Sequence, residues 1–190
     1  RNILKLYRED IRKHTDDLNL KVEKIYDLIP SQLQKHEKKF IISDVDKNLR
    51  YRNLEESFYW LNDAKLLNIA YNTTEPNIGL GQRINDNSMK CYLFDTGLLL
   101  SMTFNEMEII NGEIYKKILF DKLTFNEGMI LENIVAQMLV ASGRKLYFFS
   151  RYDKEISGET MEVDFLILDN KIIITPIKQI LDVIRKETGY

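Results

Sequence analysis

Glu162 and Asp164 stand two apart in the run TMEVDFLIL, and Lys178 directly follows the next apolar run, KIIITPI. Asp169 and Asn170 fall between the two runs as a tight turn. Two carboxylates and a lysine on adjoining strands are the residue types of a magnesium-dependent phosphodiester-cleaving centre. Carboxylate oxygens hold the hard cation, the cation activates water, and the lysine offsets developing phosphate charge. Against this stands Pro176, two residues before the lysine, where such a centre wants another carboxylate. A plainer reading stays open beside the chemical one. Glu162 and Asp164 alternate with Val163 and Phe165, and acids on the solvent face of a half-buried strand need no function.

The elements that must position these residues follow from periodicity. Residues 2–14 carry Ile3, Leu4, Leu6, Tyr7 and Ile11 at helical spacing. Asp16 and Asp17 offer N-caps for a second helix at about 18–29, which Pro30 is expected to break or kink. Ser43 with Asp46 resembles a capping box for DVDKNLR. Asn53 with Glu56 repeats it for a helix over about 54–65, with Leu54, Phe58, Leu61 and Ala64 on its buried face. Strands are expected at 66–72 and 89–95 around a turn-rich wing, giving the element order of a winged-helix domain. TGLLLSMTF reads as helical, and so, with weaker punctuation, does 105–124. A strong helix runs from Asn126 to a C-cap at Gly143. Three β-rich runs at 145–151, 160–168 and 171–177 and a helical tail complete a second unit. The expected fold class is α+β or α/β: helical lead-in and winged helix over 1–104, then a small α/β domain over 105–190, incomplete at its C-terminal end.

Composition narrows the function classes. The 190 residues carry a net charge of −2, which excludes wholesale coating of nucleic acid while leaving room for a local basic patch. One cysteine, Cys91, excludes an internal disulfide and fits a reducing compartment, so the expected location is cytoplasmic. No apolar run approaches the roughly 18 residues of a membrane span, and the charged first twenty residues do not read as a signal peptide. The chain opens on Arg1, not methionine, and is read as a piece of a longer protein.

Five stretches, in this order, carry a resemblance that covers nearly the whole chain: LIPSQLQKHEKKF, YWLNDAKLLN, KCYLFDTGLL, GMILENIVAQML and EVDFLI. Together they resemble the uncharacterised C-terminal region of prokaryotic AAA-type ATP-binding proteins. The resemblance implies a winged helix followed by a restriction-endonuclease-like domain of PD-(D/E)XK type, behind an ATPase domain. No G-x-x-x-x-G-K-[ST] occurs here, so ATP is not bound by this chain through a P-loop. By the same resemblance, Glu132 is the outlying carboxylate, Asp164 the central metal ligand, and Lys178 the lysine of a Glu-x-Lys triplet whose glutamate position falls on Pro176. Either that ligand is substituted, or a stretch carrying the triplet is missing after Ile177; the sequence fits both. With Asp164 and Glu132 alone, Mg²⁺ is the one cofactor implied, held weakly. The implied partners are the ATPase domain of the same protein, DNA, or another protein, with no membrane. The function expected is a binding and regulatory half of such an ATPase, and the alternative is a Mg²⁺-dependent nuclease.

The helix in the groove-reading slot carries Glu55, Glu56, Asp63 and Lys65, a net −2, the wrong sign for lying among phosphates. Lys47, Arg50 and Arg52 just upstream are the candidate backbone contacts. In the wing, Arg83 and Lys90 are the cations. His14 and His36 lack partners at zinc-ligand spacing, Gly79-Leu80-Gly81 reads as a turn, and Cys91 as a small buried residue.

Overall fold

Residues 3–15, 18–76, 79–104, 127–152, 160–169 and 173–176 are described by a computed structural model. Helix α1 (Ile3–His14) buries Leu4 and Ile11, one helical face as the spacing predicts. Helix α2 runs from Asn19 to Leu33 with Pro30 inside it. The break expected at Pro30 does not occur, because Ile29 and Leu33 are both fully buried and hold the last turn against the core. Arg8 to Asp27 and Arg12 to Glu23 ion pairs tie α1 to α2.

The helix expected from Ser43 is also absent: only a 3₁₀ turn, Ile42–Asp44, forms. Its acids are engaged elsewhere. Asp44 accepts from Gln32 Nε2 (2.7 Å) and Lys35 Nζ (2.6 Å), and Asp46 accepts from the Asn48 N–H (2.8 Å), a local bond that competes with helix. Asn53 likewise accepts from the Arg50 N–H (3.0 Å), closing a 3₁₀ turn at Tyr51–Asn53 instead of capping the next helix. That helix, α3, is Glu55–Asp63, and it buries Phe58 and Leu61 behind Leu54, while Ala64 is exposed. Each such side chain contributes about 1.5–3 kcal/mol on burial.

Strand β1 (Leu67–Thr73) pairs antiparallel with β2 (Ile84–Leu93), the hairpin expected around the wing. Helix α4 (Thr96–Phe104) and helix α5 (Glu127–Ala141) follow, then β3 (Leu146–Tyr152), β4 (Thr160–Asp169) and β5 (Ile173–Pro176). The strands form one mixed sheet of five in the order β2-β1-β3-β4-β5, with β1 parallel to β3 and β4 antiparallel to its neighbours. The two units expected on either side of residue 104 therefore share one sheet. They also share the main core, which takes in Phe58, Leu67, Tyr92, Met129, Phe148 and Phe165. The tail helix and Lys178 lie outside the described residues.

Strand β4 carries an irregularity that decides its faces. Tyr147 pairs with Leu166 and Phe149 with Val163, so Asp164 and Phe165 together oppose the single residue Phe148. A bulge of this kind puts an odd step into the alternation. Val163, Leu166 and Leu168 accordingly pack in one small cluster with Leu80 and Phe149. Asp164, Phe165 and Ile167 turn to the other face, toward the main core.

Helix α5 is fixed by buried Asn133. Its Oδ1 accepts from the Leu93 N–H (2.9 Å), and its Nδ2 donates to the Leu93 carbonyl (3.0 Å) and Thr96 Oγ1 (2.9 Å). Both α3 and α5 end in a left-handed residue. After α5 it is the expected glycine, Gly143 (φ 80°), and the next N–H, of Arg144, returns to the Leu139 carbonyl. After α3 it is Lys65 (φ 58°), with the Leu66 N–H bonded to the Leu61 carbonyl. A side chain in this backbone region costs about 1 kcal/mol relative to glycine. Gly143→Ala is therefore expected to lower stability by about 1 kcal/mol and Lys65→Gly to raise it by a similar amount, read as opposite shifts in urea midpoint.

Candidate functional site: a buried lysine–carboxylate cluster

Lys90 and Tyr92 are two apart on β2 and share one face of the sheet. Ala70 lies directly across from Lys90 on β1 and presents only a methyl, leaving room for the lysine stem. The Lys90 ammonium stands 5.1 Å from the centre of the Phe148 ring on β3 and ends on β4, 2.6 Å from Glu162 Oε1 and 3.1 Å from Asp164 Oδ1. The lysine is 1% exposed. Reading Lys90 as a surface cation of the wing is thus corrected: it lies under the sheet's cover, because β1 joins β3 and brings the aromatic and acidic residues of the C-terminal half over it.

Helix α5 supplies the third carboxylate. Glu132, 5% exposed, ion-pairs with Lys38 and accepts from Tyr92 Oη at 3.3 Å. Lys38 is brought in by the segment after α2, where the Phe40 N–H bonds to the Met89 carbonyl (2.8 Å) beside β2. Tyr92 packs its ring on Phe165, centroids 5.4 Å apart, a contact that needs the bulge in β4. Glu132 and Asp164, paired in the sequence reading, do come together: each contributes to the field at Lys90 and Tyr92, and Asp164 acts on Glu132. Glu162 and Asp164 are not free acids on a solvent face. The partner lysine is Lys90, seventy-two residues before Glu162 and seventy-four before Asp164, and the sequence offered only a strand alternating Met89, Cys91 and Leu93 with Lys90 and Tyr92 as its signal.

The electrostatics follow from burial opposed by ion pairing. Burial lowers the Lys90 pKa, but Glu132, Asp164 and Glu162 outweigh it, and the ammonium is held above its ordinary 10.5. Burial pushes Glu132 above 4.5, with Asp164 adding to the rise and Lys90 and Lys38 opposing it. Burial first, then Glu132 and Asp164, drives the Tyr92 phenol far up, so it remains a donor. Cys91, on the opposite side of β2, is pushed up by burial alone and is no thiolate nucleophile.

A magnesium ion does not fit these residues as they stand. The oxygens of Glu162 and Asp164 that would face a cation are directed at the Lys90 ammonium, and Glu132 is held by Lys38. Among the described residues no group of three or more acidic, histidine or cysteine side chains is arranged to hold a metal. Pro176 pairs with Leu166 at the end of β5. Lys47, Arg50 and Arg52 are elsewhere, exposed around the second 3₁₀ turn and without an ion-pair partner among the described residues. No described helix is long and apolar enough to cross a membrane.

Residues 1–108 match the model of a family described as a domain of unknown function, DUF8612, more than half of the 190-residue chain. No curated protein and no solved structure matches the chain.

Two outcomes test the cluster. Lys90→Met leaves two carboxylates without their buried partner and is expected to cost about 3–5 kcal/mol in urea unfolding, part of it recovered by adding Glu162→Gln and Asp164→Asn. A loss below about 1 kcal/mol contradicts the pairing. The second outcome concerns pH. Because the folded pKa of Glu132 lies above 4.5, its contribution to stability is full below pH 4.5 and is lost as pH rises through the elevated value. Wild-type stability measured against Glu132→Gln should therefore fall as pH rises from 4.5 toward neutrality. A difference that is constant with pH refutes the assignment.

Proposed function

This chain belongs to the DUF8612 family, and we propose that it is a binding and regulatory module rather than a metal-dependent nuclease. The observation that carries the reading is the Lys90 ammonium at 2.6 Å from Glu162 and 3.1 Å from Asp164. A nuclease of the PD-(D/E)XK type leaves its carboxylates open to a cation and keeps its lysine facing the phosphate. Here a buried lysine takes the cation's place, and two ammonium groups face three carboxylates in a closed ionic network. The network joins the segment after α2, strand β2, helix α5 and strand β4, and so works as a clamp across the sheet.

In this proposal the hairpin β1–β2 and helix α3 are the winged-helix part, and α5 with β3–β5 the endonuclease-like part. The module serves as the C-terminal half of an AAA-type ATPase and docks on that protein's own ATPase domain. Exposed Lys47, Arg50 and Arg52 are its candidate contacts to a nucleic-acid backbone or an acidic protein surface, while Glu55 and Glu56, leading α3, oppose insertion of that helix into a groove.

The nuclease reading keeps one observation in its favour, the convergence of Glu132 and Asp164. Plasmid cleavage separates the two. With Mg²⁺ or Mn²⁺ the protein is expected to leave supercoiled DNA intact, at the same background as Asp164→Ala. Metal-dependent nicking that disappears in Asp164→Ala would overturn the binding-module reading.

A further inference from the structure

A cavity of about 350 Å³ opens between the end of α3, the start of β1 and the turn from α5 into β3. It shares no residue with the lysine–carboxylate cluster. Three cations line it, Lys65, Arg144 and Lys145, and no carboxylate does so among the described residues. Neither Lys65 nor Lys145 has an ion-pair partner among those residues, and both are exposed; the Arg144 guanidinium donates to the Leu168 carbonyl, at 3.4 Å. Tyr71 and Tyr147 are register partners on the parallel strands β1 and β3, so their side chains stand next to each other on one face at the cavity wall. Asn68 also borders the cavity, but its buried side chain lies directly across from Tyr92 and so turns to the opposite face of the sheet from Tyr71 and Tyr147. Lys65 is also held there at φ 58°, in a backbone region where glycine is the lower-energy residue.

We infer that this cleft binds a small organic phosphate of mononucleotide size. The phosphate lies among Lys65, Arg144 and Lys145, and a flat ring rests on the Tyr71–Tyr147 pair. The volume suits such a ligand, at the lower end of small-molecule sites. Guanidinium and ammonium donors suit a phosphate better than an uncharged head group. Nothing in the arrangement requires the ionic cluster, and the site goes beyond the clamp proposed above.

Calorimetric titration of the full chain with adenosine 5′-monophosphate tests the inference, with adenosine and inorganic phosphate as separate probes. Saturable binding of the monophosphate is expected, at least about tenfold tighter than either fragment and weakening as salt is added. Lys65→Gln/Lys145→Gln alters exposed side chains only, so its unfolded fraction should match the wild type while its affinity drops about tenfold or more. Absent saturation, unchanged affinity in the double lysine variant, or inorganic phosphate bound as tightly as the monophosphate each overturns the inference. So does a short single-stranded oligonucleotide that binds more tightly than the monophosphate, since that outcome assigns the cleft to a nucleic-acid strand.

Discussion

The Lys90 ammonium lies under the sheet's cover, and the surrounding elements are arranged around the charge it brings there. Burying a lysine costs several kcal/mol unless carboxylates repay the lost hydration. The repayment comes from three sources: Glu162 and Asp164 on β4, and the field of Glu132 on α5. None of these is near Lys90 in sequence. The pairing is therefore satisfied only when β1 has joined β3, β4 has joined β3, and α5 has packed over the face. A charge that is costly until three distant elements assemble favours one arrangement of the sheet over looser alternatives.

The bulge in β4 makes that assembly geometrically possible. In a regular strand Asp164 and Phe165 would point to opposite faces, one toward Lys90 and the other away. With both set against Phe148, the acid reaches the ammonium and the ring reaches Tyr92, while Val163, Leu166 and Leu168 remain together on the far side. On that far side Leu80 and Gly81, in the turn between β1 and β2, come down on the C-terminal strands. A Cβ on Gly81 would stand 2.7 Å from Tyr147 Oη, so a larger residue there would have to displace the tyrosine hydroxyl. One sheet is thus covered by pieces of both halves of the chain, and the β1–β2 hairpin is structural to the whole.

The cluster and the cleft divide the chemistry between them. In the cluster, opposite charges face each other at hydrogen-bond distance with little water, which suits holding elements in place. In the cleft, exposed cations stand together with no carboxylate among the described lining residues, which suits taking up an anion. The two helix ends that shape the cleft use the same turn with different residues, Gly143 after α5 and Lys65 after α3. The lysine retained where glycine is easier marks the cleft as the place where backbone strain and charge coincide.

Much of the local structure was legible in the residues. Apolar spacing marked α1, α3, α4 and α5, alternation marked the strands, and Gly143 marked the end of α5, because these depend on neighbours a few residues away. The capping boxes at Ser43 and Asn53 misled because Asp44, Asp46 and Asn53 spend their oxygens on other partners, and Pro30 misled because burial of Ile29 and Leu33 outweighs the one lost hydrogen bond. Glu132 and Asp164 were recognisable as a pair through resemblance, but not what answers them. Sequence by itself determined most of the helices and strands, because their periodicity is local. Only the tertiary structure decided that Lys90 is the counter-ion of Glu162 and Asp164, since its burial depends on a parallel pairing between β1 and β3, seventy-six residues apart at Ala70 and Leu146, that no local pattern encodes.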